Sequence, residues 1–260
     1  MNLENCNKDK LYLIALSGGP DSMALLDMLY QEKYSLIVCF VNYHHRNNVE
    51  EEQEMVVNYV KKLNYKLEIK NCFYQEKDGN FENWARIERY IFFKEMVNKY
   101  HADGCFVGHH QDDLIETYLL QKQRGYVSYY GLKHINNIKD VKIIRPLLDY
   151  KKIDLLNYCK ENKIPFSIDY TNDDINLKRN YLRKNIINNL NDNERKDILK
   201  KINLENQRIN QINQKIDTFI DGNEINLDNI NELNEEEFSR LIFKFVNNYI
   251  ELELSINRLK

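Results

Sequence analysis

The feature that most constrains this 260-residue chain is an apolar run, Leu11 to Leu16, that passes without a linker into Ser17-Gly18-Gly19-Pro20-Asp21-Ser22. An apolar run of that length ending in glycines reads as a strand buried on both faces, as in a parallel sheet. After the hexad, Met23, Leu25, Leu26 and Leu29 form the sheet-facing side of a helix over 22–33. The alternation continues, with strands expected at 35–42, 66–71, 103–108 and 142–145 and helices over 50–63, 81–99, 112–122 and 151–162. This order predicts an α/β fold, a parallel sheet with helices on both faces.

The pattern loosens after Gly125, where a polar loop over 163–180 leads to a basic helix from 180 to about 189. A domain boundary is expected near Asn191, giving domains 1–190 and 191–260. Beyond it Ile202, Ile209 and Ile216 stand seven apart, with Ile212 and Phe219 between them. These predict an amphipathic helix of about four to six turns. A second helix over 235–249 completes a small helical C-terminal part.

Net charge is −3, but eight acidic residues and no Lys or Arg lie between 216 and 239, so the rest of the chain is net positive. Much of that excess lies between Lys122 and Lys184, which is compatible with RNA binding or with an ordinary solvated face. The acidic stretch is expected to repel RNA. The five cysteines at 6, 39, 72, 105 and 159 form no C-x-x-C pair and read as small buried hydrophobes. No apolar run approaches a membrane span, and the polar first ten residues carry no signal-peptide core, so a cytosolic protein is expected.

The hexad is a natural phosphate cradle. It takes two of only eight glycines and one of only three prolines. Glycine allows φ > 0 and close backbone approach, and the helix N-terminus turns free N–H groups toward an anion. Ser17 and Ser22 add hydroxyls, and Asp21 can hold Mg²⁺ against phosphate oxygens. No G-K-[ST] follows and no G-x-G-x-x-G is present, so neither a Walker A loop nor a dinucleotide fingerprint is read here.

Ser17-Gly18-Gly19-Pro20-Asp21-Ser22 resembles the PP-loop signature of the N-type ATP pyrophosphatases, which have a Rossmann-like fold and cleave ATP between the α and β phosphates. Further blocks follow in order: Val41-Asn42-Tyr43-His44-His45-Arg46, Ala85-Arg86-Ile87-Glu88-Arg89-Tyr90 and the run from Gly108 to Thr117. Arg124-Gly125, Gly131-Leu132, Arg145-Pro146-Leu147-Leu148, Asp169-Tyr170-Thr171-Asn172 and Arg179-Asn180-Tyr181-Leu182-Arg183 complete the set. Together they resemble tRNA(Ile)-lysidine synthetase from residue 11 to about 190. The resemblance implies ATP and Mg²⁺ as cofactors, with free L-lysine and tRNA(Ile) bearing a CAU anticodon as partners. No membrane is implied, and a homodimer is left open. It also implies the chemistry: the wobble cytidine is adenylated at its C2 oxygen, and the lysine amine then displaces AMP.

Against that chemistry, Ser17, Gly18, Gly19, Pro20, Asp21, Ser22, Arg86 and His110 are expected to bind ATP. Asp21, Asp113 and Glu116 are the catalytic candidates, with Asp21 also the Mg²⁺ ligand. Asp113 and Glu116, three apart at a helix start, could hold the lysine ammonium or be an ordinary acidic first turn. Arg89, Arg145, Lys178, Arg179 and Arg183 are expected to contact tRNA, with Arg179 and Arg183 on one helical face. A surface salt bridge to Glu82 or Glu88 is the alternative for Arg86 and Arg89, and Asp169 and Asn172 either order the loop that receives the target base or cap a turn. The competing readings are a tRNA thiolase, which the cysteine placement disfavours, and an RNA-binding module with a relic nucleotide loop.

Overall fold

Six strands form one sheet in the order β3-β2-β1-β4-β6-β5, where β1 is Leu11–Leu16, β2 Ser35–Asn42, β3 Lys66–Asn71, β4 Cys105–Phe106, β5 Ile135–Ile138 and β6 Val141–Ile144. This is a computed structural model, and it describes residues 1–44, 49–123, 127–167, 178–222 and 224–249. β1 pairs in parallel with β2 and β4, β2 with β3, and β4 with β6. β5 turns back antiparallel on β6. That edge strand was not expected from its sequence. Ile135-Asn136-Asn137-Ile138 lacks alternation, and the intervening Lys139 and Asp140 take the left-handed conformation of a two-residue hairpin loop with no glycine to announce it.

Successive side chains of β1 point to opposite faces, and each face has its own core. Tyr12, Ile14 and Leu16 meet α1 (Pro20–Gln31), α2 (Val49–Lys62) and α5 (Lys152–Glu161) through Met23, Leu26, Val56, Val60, Leu155 and Cys159. Leu13, with Ile37 and Cys39 of β2, meets α3 (Phe81–Tyr100) through Tyr90, Phe93 and Met96. The sheet is therefore covered on both faces. Cys39, Cys105 and Cys159 are buried in these cores as expected, and burial pushes the thiols of Cys39 and Cys159 up to about 12. Among the described residues no helix is long and apolar enough to cross a membrane.

Contacts group the chain into two compact units, one of residues 1–114 and 133–175, the other of 115–132 and 176–260. The expected boundary near Asn191 assumes chain order, whereas residues 115–132 join the C-terminal segment. The first unit holds the sheet. The second contains α6 (Lys178–Asn185), α7 (Asp192–Asp217), the hairpin β7–β8 (Ile220–Asp221, Glu224–Ile225) and α8 (Glu235–Tyr249). It also takes in most of α4, which runs Gln111–Lys122.

α7 is longer than the isoleucine spacing implies. Asn191 caps it, accepting from the Asn193 and Glu194 amides while Glu194 reaches back to the Asn191 N–H. The charged first turns hid that start from hydrophobic periodicity. Ile212, Ile216 and Phe219 form a small core with Leu241. The acidic stretch also proves to be partly spent within this unit: Asp217 pairs with Lys244, Glu236 with Arg208 and Arg240, and Glu237 with Lys215.

Candidate active site

The strand order reverses direction between β1 and β4, which opens a crevice at their carboxyl ends. Ser17 to Gly19 cross from β1 to α1 at that crevice. Gly18 adopts φ +80, the left-handed region that side-chain residues avoid. Pro20 occupies the first turn of α1, and no side chain caps the helix at Gly19, which leaves its N-terminal N–H groups for an anion. The two serines shape the turn. The Ser17 N–H donates to Ser22 Oγ at 3.1 Å, the hydroxyls lie 3.1 Å apart, and Ser22 Oγ donates to the Gly19 carbonyl at 3.1 Å.

From the other side of the crevice, Gly108 follows β4 and lies directly against the start of α1. His109 and His110 then lead into α4. His110 is 2% exposed, and its ring is held on both sides. Nδ1 accepts the Asp112 N–H at 3.2 Å, which puts the proton on Nε2. Nε2 lies 3.5 Å from both Asp21 Oδ2 and Asp113 Oδ2. Burial disfavours the charged ring, but the hydrogen bond to Asp21 and the charges of Asp113, Asp21 and Asp112 outweigh it and hold its pKa above the ordinary value. The expected ATP contact of His110 would have to come from a ring that is buried and lies between Asp21 and Asp113. Asp21 Oδ1 is buried with no hydrogen-bond partner among the described residues, as a group awaiting a cation would be.

Loop 164–167 supports the same turn. The Ser167 N–H donates to the Gly18 carbonyl at 2.9 Å, and its hydroxyl donates to buried Glu52 of α2 at 2.6 Å. Sequence reading missed both residues: Ser167 sits in a featureless polar loop, and Glu52 is one of three acids in the first turn of α2.

Arg145 is only 3% exposed, and its N–H groups are taken by His109 Nδ1 at 3.0 Å, the Lys133 carbonyl at 2.9 Å and Asn136 Oδ1. The expected tRNA contact would have to come from a guanidinium that is buried and already bonded through Nε and Nη1. Burial is the main cause that pushes the His109 pKa down to about 4, and Arg145, Arg89 and Arg86 add to it against the pull of Asp113. Its Nδ1 is thus a neutral acceptor for Arg145. Arg86 is exposed, with its guanidinium 4.9 Å from the Tyr90 ring centre, and Arg89 Nε donates to the Tyr43 hydroxyl at 3.2 Å. Glu88, one of the two alternative partners for these arginines, pairs with Lys70 at 3.0 Å.

In the second unit, Glu116 is 4% exposed and paired with two arginines of α6: Arg183, and Arg179 at 3.4 Å. Glu116, expected to hold a substrate ammonium, is a carboxylate paired with two guanidinium groups in this structure. Lys178 begins α6, but its side chain lies outside the described residues, as do His45, Arg46, Arg124, Gly125, Asp169 and Asn172. Among the described residues no group of three His, Cys, Asp or Glu could hold a metal ion.

The family of the PP-loop domain matches residues 1–190. The chain belongs to the PP-loop family. Among its relatives, tRNA(Ile)-lysidine synthase of Mycoplasma mycoides subsp. mycoides SC is 46% identical over 90% of this chain and 58% of its own length. The protein of the same name from Mesoplasma florum is 37% identical over 90% of this chain and 60% of its own. This PP-loop chain thus spans 58% and 60% of the lengths of those relatives. A solved structure similar in fold is the U34-tRNA thiolase NcsA from Methanococcus maripaludis, at TM-score 0.63 and 15% identity over 78% of this chain and 74% of that one. That likeness speaks to fold alone.

Proposed function

We propose that the chain ligates lysine to C2 of the wobble cytidine of tRNA(Ile) with a CAU anticodon, consuming ATP and releasing AMP and pyrophosphate. The observation that carries this reading is the 46% identity to a lysidine synthase across 90% of the chain.

In this reading the phosphates of ATP lie against the N-terminus of α1, with Ser17, Gly18, Gly19, Pro20 and Ser22 forming the cradle. The buried, unpartnered Asp21 Oδ1 fits Mg²⁺, which when bound would neutralise phosphate charge; Asp21 and phosphate oxygens would hold it, since no all-protein cluster is present among the described residues. The cytidine O2 attacks the α-phosphorus and pyrophosphate leaves. The lysine amine then attacks C2, the C2–O bond breaks, AMP leaves and one proton is lost. Asp113, whose Oδ2 accepts the His110 N–H at 2.9 Å, takes that proton. His110 aligns both carboxylates. Glu116 acts one step back, holding Arg183 and Arg179 in place for an anionic substrate. Arg86 and Arg89 serve ATP and the RNA backbone.

The test is incubation with ATP, Mg²⁺, radiolabelled lysine and a tRNA(Ile) transcript bearing CAU. Lysine incorporated into RNA, abolished by Asp21→Ala at the pyrophosphate-releasing step, is the expected result. Pyrophosphate release with no lysine transfer would point to another acceptor chemistry, and no tRNA-dependent ATP cleavage would overturn the reading.

A further inference from the structure

Phe73, two residues past β3, is a large aromatic ring left 67% exposed. It is not a loose side chain. Its ring lies parallel to that of His44, with centres 4.5 Å apart and planes 10° from coplanar. His44 is itself braced. It takes φ 49, its N–H donates to Asn42 Oδ1 at 2.9 Å, and its Nε2 lies 2.9 Å from Asn71 Oδ1. Asn42 and Asn71 are register partners at the ends of β2 and β3, so two strand ends fix one imidazole and the imidazole fixes the phenyl ring. A non-glycine residue held at positive φ stores strain that the surroundings must enforce.

The stack continues into a wider aromatic surface. Tyr74 meets Phe81 and Trp84 edge-on at 5.3 Å each, and Tyr43 meets the same two rings at 6.0 Å. The Tyr43 hydroxyl carries Arg89. All of this lies past the carboxyl ends of β2 and β3, on the edge of the parallel sheet where β1 ends in the PP-loop. A preset, open π face matches an unpaired nucleobase, which offers a flat face for stacking, and Arg89 on the adjoining aromatic surface suits its phosphate.

We infer that the outer face of Phe73, backed by His44, stacks an unpaired base of the RNA substrate next to the one that reacts. The inference rests on the RNA reading above, and its test does not use lysine transfer. The 260-residue protein is titrated into a fluorescein-labelled single-stranded RNA of about seven nucleotides, and separately into a fluorescent non-hydrolysable ATP analogue. Phe73→Ala, Phe73→Trp and, as an exposed aromatic elsewhere, Tyr30→Ala are compared. Phe73→Ala is expected to weaken RNA binding about tenfold, while Phe73→Trp and Tyr30→Ala bind RNA like the parent and all three keep their ATP-analogue affinity. An unchanged RNA affinity for Phe73→Ala overturns the inference. So does a loss confined to the ATP analogue, which would seat adenine there. If the Phe73→Ala loss is seen in a protein that transfers no lysine, the stacking site stands and the ligase reading fails.

Discussion

An alanine at position 108 would place its Cβ 3.1 Å from the Ser22 amide nitrogen and 3.2 Å from the Asp21 carbonyl carbon and Ser22 Cα. These are backbone atoms of the first turn of α1, so the turn itself must yield. Gly108→Ala should cost about 1–3 kcal/mol by overpacking and weaken ATP binding through the shifted turn. Thermal denaturation and an ATP titration check both, and a variant with normal ATP affinity would show that the contact is not needed. The glycine was legible as part of a motif, but the reason for it was not, since no spacing in the sequence says that 108 touches 21 and 22. The two adjacent histidines show the same limit. They read as a pair, yet the structure gives them opposite tendencies. The His109 pKa is depressed from 6.5 to about 4, so between those values the unfolded chain takes up a proton that the folded one refuses. Its contribution to stability is whole above about 6.5 and is lost as pH falls toward 4, by at most about 3 kcal/mol. His110 is raised, so its contribution is present below the unfolded value and lost as pH rises through the folded one. His109→Asn should therefore flatten the acid limb of a stability–pH curve from chemical denaturation, and an unaltered limb would refute the assignment.

Elements with strong periodicity were legible to within a residue or two, because burial on both faces writes itself as continuous apolar runs such as Leu11–Leu16 and Ser35–Asn42. What escaped was held by polar atoms. The β5–β6 hairpin, the Asn191 cap and the Ser167 latch each depend on a hydrogen bond between residues that look like ordinary loop. The latch has a consequence of its own. Ser167 ties loop 164–167 both to α2, through Glu52, and to the Gly18 carbonyl. Removing its hydroxyl takes a short hydrogen bond from a buried carboxylate, a loss of about 1.5–3 kcal/mol. Under the proposed function, Ser167→Ala should also raise the ATP KM while leaving the lysine KM near the parent value, and Ser167→Thr should restore the ATP KM. Equal rises in the two KM values would mean a general loosening rather than an effect on the phosphate turn.

At the scale of the molecule, the family match ends at residue 190, yet the contacts do not part there. Within the second unit α7 grips the segment that follows α4. The Asn206 carboxamide accepts the Tyr130 N–H at 2.8 Å and donates to the Tyr130 carbonyl at 3.0 Å. Gln121 makes the matching pair with Gly131 and Tyr129. Glu205 receives the Tyr118 hydroxyl at 3.1 Å and Lys122. Tyr118 and Gln121 belong to α4, the helix that carries Glu116. The seventy residues that sequence reading set aside as a helical appendage therefore complete the unit in which Glu116, Arg179 and Arg183 meet. A chain cut after residue 190 would leave the Tyr130 backbone and the Tyr118 hydroxyl without these partners, a loss of about 0.5–1.5 kcal/mol for each hydrogen bond exchanged for one to water. It would also lose the core of Ile212, Ile216, Phe219 and Leu241. The truncated protein should melt earlier and over a broader range than the parent, expose residues 115–132 to hydrogen exchange, and lose the Arg183–Glu116 pairing on which substrate binding is proposed to depend. Asn206→Ala in the whole chain should raise exchange at 129–131 alone, by an amount that Asn206→Asp, which keeps the acceptor, recovers in part. A 190-residue chain with a cooperative melt and protected amides over 115–132 would show that α7 is an appendage after all.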